Sequence, residues 1–329
     1  MSTHHDTLWD TVIVGAGSAG MAAGIYAARF GLKTLIVGQV VGGLLNDSHN
    51  VENYPGFPSI PGTDLMLQFK AHCDNLKIPF EESWVHTIER AHGDDPKKTV
   101  FTLHAEDAIG KKTTIRARTV IFTMGTKHKK LGAKNEEQLS GRGVSYCATC
   151  DAAFFKNVPV AIVGGGDSAA QAGQLLSQFA SHVHIIVRKD RMRAEPINIQ
   201  RLEQNPKVTL VYDTQVLEAI GETALTGARL SKPLNGSDIL PVEGLFVEIG
   251  HIIQSELAAQ IGVALNDHKE IIIDGESKTN IGGVYAAGDV GNRRYKQALT
   301  GASEGAIAAF SAYERIQKID NDENVEIGY

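Results

Sequence analysis

Cys147-Ala-Thr-Cys150 sets two thiols three positions apart, on one side of a single helical turn and close enough to make and break a disulfide. At the first turn of a helix, the N-terminal dipole lowers a thiol pKa and supplies the thiolate that exchange requires. Asp151 follows directly, with a carboxyl able to carry a proton to a leaving sulfur. Zinc is the other chemistry a CxxC pair can hold, but zinc needs two more ligands. Cys73 is the remaining cysteine, and neither a second CxxC nor an HxxxH pair stands at finger spacing. No metal is expected. Cys73, inside a helical stretch from Leu65 to Leu76, reads as a small core residue.

A dithiol that turns over needs an electron source, and two segments of the chain offer one. Asp10–Val14 is a β-branched run that leads into Gly15-Ala-Gly-Ser-Ala-Gly20, a helix former from Met21 to Arg29, and a second strand, Lys33–Val37. Val158–Val163 leads in the same way into Gly164-Gly-Gly-Asp-Ser-Ala169, a helix from Ala170 to Ala180, and a strand at Val183–Val187. Strand, glycine turn, helix, strand is the grammar of a doubly wound dinucleotide fold, here written twice. The first glycine makes the tight turn, the second lets backbone N–H groups reach a pyrophosphate, and the third, or Ala169, lets helix and strand pack closely. The phosphates then meet a helix N-terminus, where unpaired N–H groups favour negative charge. One such turn is weak evidence; two in the required context are strong.

The ends of the second strands suggest which cofactor goes where. Val187 is followed by Arg188, Lys189 and Arg193, cations placed for a 2′-phosphate, which favours NADPH. Ile36-Val37-Gly38 carries no acid for a ribose, so the ribose of the first cofactor must find another partner.

Near the C-terminus, Gly283–Asp289 is a third apolar strand ending in Gly288-Asp289, and Thr300–Ile316 reads as a helix. With no partner pattern in the second glycine unit, this strand is expected to return to the first. The fold class is α/β: two Rossmann-like domains, the second inserted into the first. A discontinuous first domain takes 1–125 and 251–329, and an NADPH-binding domain carrying the dithiol takes 126–250. The insert holds 14 basic and 13 acidic residues in a chain of net −6. Met1–Leu8 and Asp320–Tyr329 read as solvated tails.

Composition limits the alternatives. At 329 residues, with 43% hydrophobic and 21% charged, the chain is an ordinary globular one of about two domains, not disordered, collagenous or coiled-coil. A balance of 32 basic to 38 acidic residues has the wrong sign for a nucleic-acid binder. Glycine is in excess at 34 residues, whereas aromatics make up 6%, as suits a backbone that approaches something large and flat. Three cysteines are too few for a secreted disulfide scaffold, and the N-terminus lacks the basic and apolar regions of a signal peptide. The uncharged run Thr11–Ala28 is broken by four glycines and reads as strand and turn, not as a membrane span. A cytoplasmic location is expected.

Taken together, Gly15–Gly20, Glu52-Asn-Tyr-Pro-Gly-Phe-Pro58, Cys147-Ala-Thr-Cys-Asp151, Gly164–Ala169 and Gly288-Asp289 resemble, in order and spacing, the low-molecular-weight thioredoxin reductases. The resemblance runs from about Asp10 to Ile316. It implies a homodimer with tightly held FAD in the outer domain, 1–125 and 251–329, NADPH as electron donor in the inserted domain, 126–250, and a thioredoxin-like protein as acceptor. The inserted domain is expected to rotate, presenting either nicotinamide or dithiol to the flavin.

By the same resemblance, Cys150 faces the flavin, Cys147 attacks the partner disulfide, and Asp151 is the acid/base. FAD would be held by Gly15, Gly17, Ser18, Ala19, Gly20, Gly42, Gly43, Leu44, Asn53, Gly125, Gly288, Asp289, Lys296, Gln297 and Ala298. NADPH would be held by Gly165, Gly166, Asp167, Ser168, Ala169, Arg188, Lys189 and Arg193. The chain departs from the family pattern at Val187-Arg188-Lys189, Gln171-Ala-Gly173, Leu44 and His251-Ile-Ile-Gln254. Relatives that keep the scaffold but take electrons from a ferredoxin, or run the dithiol as an oxidase, are the alternative. A flavin or zinc module without turnover leaves the two turns and the dithiol as coincidence.

Overall fold

The computed structural model describes residues 7–48, 51–91 and 96–323. The chain opens with β1 (Leu8–Val14), α1 (Ser18–Arg29) and β2 (Thr34–Val37), then α2 (Gly62–Asn75), β3 (Phe80–Glu81), β4 (Ser83–Ala91), β5 (Val100–Asp107), β6 (Lys112–Phe122) and β7 (Thr126–His128). A second stretch runs through β8 (Val144–Ser145), α3 (Ala148–Asp151), β9 (Pro159–Val163), α4 (Asp167–Leu176), β10 (His182–Ile186) and α5 (Pro196–Glu203). It continues with β11 (Val208–Val211), β12 (Val216–Gly221), β13 (Leu225–Leu234), β14 (Ser237–Leu240), β15 (Gly244–Val247) and β16 (His251–Ile253). The chain closes with α6 (Glu256–Ala259), β17 (Val284–Ala286) and α7 (Ala298–Asp320).

Two compact units result. Of the described residues, the first comprises those within 1–46, 50–127 and 253–329, and the second those within 47–49 and 128–252. The first unit is built on a sheet of order β3-β2-β1-β6-β5-β4, with β17 also paired to β6. β1 runs parallel to both β2 and β6, so Val12, Ile13 and Val14 are flanked on both sides and fully buried, as a doubly covered strand requires. β17 is parallel to β6, Val284 opposite Val120, which places the C-terminal strand where the sequence expects it. α1 lies against α7, where Gly305 lets the two helices meet without a Cβ between them. The core on this side holds Met21, Ala23, Leu65, Cys73, Ala308 and Ala312.

The second unit carries a parallel sheet of order β11-β10-β9-β15-β8 and an antiparallel β12-β13-β14 ribbon. Val160, Ile162, Val183 and Ile185 pack against Ala169, Ala172 and Leu176 of α4.

Some boundaries differ from the sequence reading. α4 ends at Leu176 instead of Ala180, because Ser177 turns its hydroxyl onto Gln174 O (2.8 Å) and residues 177–180 wind into a turn. The supposed tails are partly structure. Leu8 opens β1 opposite Arg116, and Asp320 ends α7 in an ion pair with Arg118 (2.5 Å), which also grips Asp10 (3.1 Å). The outer parts of both tails, Met1–Asp6 and 324–329, lie outside the described residues.

Candidate active site

Cys147 and Cys150 are joined in a disulfide, with their Cα atoms 5.3 Å apart. Cys147 is the N-cap of α3, and its Sγ accepts the Cys150 backbone N–H at 3.1 Å. The turn is held from the N-terminal side by Ser145, whose Oγ accepts the Cys147 N–H (3.1 Å). Next to it, Tyr146 donates its hydroxyl to the buried Glu136 (2.7 Å). Sequence reading expects a helix dipole at the dithiol; the structure supplies less. α3 has four residues and passes into a 3-10 turn at Ala152–Phe155, so a single N–H, not a macrodipole, favours charge on the Cys147 sulfur.

The carboxylate brought onto the sulfurs is not the one marked by the motif. Asp151 lies in the same turn, its backbone N–H on Cys147 O (3.2 Å), with no hydrogen bond from its side chain among the described residues. Asp47 instead sets Oδ1 at 3.4 Å from Cys147 Sγ and 3.9 Å from Cys150 Sγ. Its Oδ2 meets His128 Nε2 at 2.9 Å, and its carbonyl accepts the Thr149 hydroxyl. No local pattern ties residue 47 to 128 or 147, so sequence reasoning missed this group. Asp47 and the two sulfurs are close enough to share a cation, but bonded sulfurs have no thiolate charge to offer one.

Cys73 stands apart, fully buried in α2 with its Sγ toward Met21 O. Burial pushes its thiol up to about 12. At pH 7 to 9 it stays protonated, so iodoacetamide should leave Cys73 unmodified in the folded protein while labelling Cys147 and Cys150 once they are reduced. Peptide mapping checks this; equal labelling of all three would contradict it.

The first glycine turn gathers several expected residues. A Cβ on Gly15 would collide with the Thr123 carbonyl, and one on Gly20 with the Gly15 carbonyl, so both must be glycine for the turn to close. Gly17 differs: a Cβ there would find nothing nearer than Gly42 O at 3.9 Å. Gly17 is also the N-cap of α1, with no side chain to bond the first-turn N–H groups. Gly43 approaches the Gly17 backbone, and Gly288 lies against Ala19. Ser18 and Gly301 border the same space. Leu44 is half-buried in a 3-10 turn, Gly43–Asp47.

Asp289 follows Gly288 in a short 3-10 turn, and burial raises its carboxyl pKa. Lys296 Nζ bridges Asp289 O (2.8 Å) and Glu270 Oε1 (2.5 Å), so its charge is already matched by a carboxylate. Gln297 caps α7, which begins at Ala298, and receives Asn53 Nδ2 at 3.2 Å. Gly125 sits beyond β6, its carbonyl taking the Gln254 N–H (3.1 Å). Open space over an uncapped helix N-terminus, with a buried carboxyl nearby, fits the pyrophosphate and ribityl chain of a dinucleotide.

The second turn repeats the plan. A Cβ on Gly164 would strike the Glu248 carbonyl, Gly165 lies against Val187, and Gly166, the N-cap of α4, faces open space with no side-chain cap. Ala169 is buried beneath the turn and Ser168 is exposed. Arg188, Lys189 and Arg193 are exposed past β10, and the Arg193 N–H holds Gly165 O at 2.6 Å. Asp167 has another occupation: Oδ1 accepts the Glu195 N–H (2.7 Å) and Asn198 Nδ2 (3.1 Å), fastening the start of α5.

The model of the pyridine nucleotide-disulphide oxidoreductase family matches residues 9–305. A thioredoxin reductase of Mycolicibacterium smegmatis is 39% identical over 316 residues, covering 95% of this chain and 97% of the relative. One from Listeria monocytogenes is 37% identical over 317 residues, 95% of this chain and 96% of its own. The chain belongs to the thioredoxin reductase family. Solved members agree with it in fold: the T. acidophilum thioredoxin reductase has a TM-score of 0.85 at 34% identity, covering 93% of this chain and 98% of its own. The Lactococcus lactis thioredoxin reductase in its FR conformation gives 0.85 at 33%, with the same coverage. As a family member the protein is an oxidoreductase with the Cys147–Cys150 disulfide as its redox centre. Among the described residues, no helix is long and apolar enough to cross a membrane.

Proposed function

We propose that the protein is an NADPH-dependent, FAD-containing thioredoxin reductase, acting in the cytoplasm as a homodimer. The observation that carries the reading is a disulfide within one turn of chain, in a unit with its own uncapped glycine turn, on a chain with a second such turn. When bound, the nicotinamide supplies a hydride and the flavin relays its electron pair to the disulfide. The first-turn N–H groups of α1, beside Gly15, Gly17, Ser18, Ala19, Gly20, Gly42, Gly43 and Leu44, would hold the FAD pyrophosphate. Asp289 would accept from the ribityl hydroxyls. Asn53, Gly125, Gly288, Lys296, Gln297 and Ala298 would border the rest. On the second turn, Gly165, Gly166, Asp167, Ser168 and Ala169 would cradle NADPH.

Cys150 would be the thiol toward the flavin and Cys147 the one that attacks a protein disulfide, with Asp151 serving as acid and base. Phe154, 82% exposed one turn beyond Cys150, supports a protein partner over a small disulfide. Tyr26, Ile307 and Phe310, exposed on α1 and α7 of the first unit, offer an apolar face for a second copy. The test is anaerobic titration of the purified protein with NADPH. The flavin absorbance should bleach near stoichiometry and return on adding oxidised thioredoxin; a flavin band left unchanged would refute the donor.

Arg188, Lys189 and Arg193 would meet the 2′-phosphate, as their exposure at the end of β10 permits. Arg188→Ala should then raise the NADPH KM about tenfold and leave the NADH KM alone, the loss of one charge-assisted hydrogen bond. An unchanged ratio of the two KM values would remove this cluster from the nucleotide site.

A further inference from the structure

Asp47 is the best-placed proton acceptor at the dithiol, and nothing in the motif marks it. Both its carboxylate oxygens are committed to this spot, Oδ1 toward Cys147 Sγ and Oδ2 toward His128 Nε2, while its main chain is bonded to Thr149 between the two cysteines. Of the two sulfurs, Cys147 alone has both a backbone N–H to stabilise a thiolate and a carboxylate oxygen at 3.4 Å to receive its proton. We propose that Asp47 is a second acid–base group of thiol–disulfide exchange, acting on Cys147, and that His128 is its positioning residue. This rests on the thioredoxin reductase reading.

In the reduced protein the Cys147 S–H proton passes to Asp47 Oδ1: the S–H bond breaks, an O–H bond forms, and sulfur keeps the electron pair. The thiolate attacks one sulfur of the partner's disulfide, forming the mixed disulfide. The partner's departing sulfur takes the electron pair of the broken S–S bond and the proton from Asp47. Cys150 then gives up its S–H proton and attacks Cys147 Sγ: the enzyme S–S bond forms, the mixed disulfide breaks, and the partner's second sulfur leaves with that bond's electron pair and takes up the proton. The dithiol is thus oxidised and the partner disulfide reduced by one electron pair.

The groups around the pair fit that task. His128 packs its ring on His251 at 5.0 Å, and Glu248 faces His128 from the end of β15; Asp151 is the remaining carboxyl of the dithiol turn. The hydrogen bond to Asp47 raises the His128 pKa, and burial pushes Glu248 up to about 7. Burial lowers His251, and the charge of His128 adds to that.

Two rates measured on the flavin-loaded, full-length enzyme test the proposal. The protein is reduced with dithiothreitol and desalted anaerobically, so no nucleotide is involved. Single-turnover exchange is followed with oxidised thioredoxin, and alkylation of Cys147 with iodoacetamide is followed by mass spectrometry, both from pH 5 to 9. In Asp47→Asn, exchange at pH 7 should fall about tenfold or more through loss of the proton carrier. Alkylation should rise about threefold, since removing a neighbouring negative charge lowers a thiol pKa. His128→Gln keeps an N–H for Oδ2 and should retain exchange within about threefold while losing the imidazole inflection in the pH profile; His128→Ala should fall with Asp47→Asn. Unchanged exchange in Asp47→Asn, with bound flavin as in the parent, overturns the assignment, as does movement of both rates in one direction. A parent enzyme that passes no electrons to thioredoxin overturns the underlying reading and the assignment with it.

Discussion

Replacing Cys150 with serine leaves a yellow protein whose disulfide reductase activity is lost. The substitution exchanges one sulfur for oxygen at the C-terminal end of a short turn and touches neither glycine cradle, so flavin content should match the parent. What disappears is the resolving step. Cys147 can still attack a partner disulfide, but with no second thiol three residues on, the mixed disulfide has no intramolecular exit. The expected loss in turnover is at least about a thousandfold, since residues that act as one unit fail together. The variant should also accumulate as a covalent complex with thioredoxin, visible on a non-reducing gel. Retained turnover would mean that the electrons do not travel through this pair.

Gly17→Ala should separate folding from cofactor binding. The residue has ordinary extended backbone angles, φ −82° and ψ −170°, and an added Cβ would meet nothing closer than Gly42 O at 3.9 Å. The apoprotein should therefore unfold within about 0.5 kcal/mol of the parent. The same methyl would stand over the uncapped first-turn N–H groups of α1, where the proposed FAD pyrophosphate would come close. FAD affinity should fall about a hundredfold or more, the loss of several charge-assisted hydrogen bonds. Gly15→Ala is the contrasting case: its φ of +115° and the Thr123 carbonyl leave no room, so that variant should lose the fold itself. Flavin fluorescence after boiling gives the first quantity and urea denaturation the second. If Gly17→Ala binds FAD as the parent does, the pyrophosphate lies elsewhere.

What could be read from the sequence was what local geometry encodes. Both glycine turns announce themselves because a tight strand-to-helix turn, a close backbone approach and an uncapped helix start all demand glycine at fixed offsets. The return of β17 to the first sheet was legible too, since an apolar strand far along the chain lacked a partner in the nearer unit. Helix ends were less legible. Residues 177–180 keep helical spacing, yet Ser177 back-bonds to Gln174 and the chain turns. At the dithiol the sequence suggested a helix long enough to carry a dipole, and four residues do not make one. Asp47 was out of reach for a different reason. Its partners lie 81 and 100 positions away, and such pairings are fixed by tertiary packing with no periodicity to betray them.

The redox bond spans only three positions of chain. Closing so small a ring removes less freedom from the unfolded polymer than a long loop would, so opening it should cost the native state only about 2 kcal/mol. The linkage is a contact breaker more than a rivet. Shifts in the surrounding thiol poise would change how many electrons each molecule holds, while the share of molecules that stay folded hardly moves.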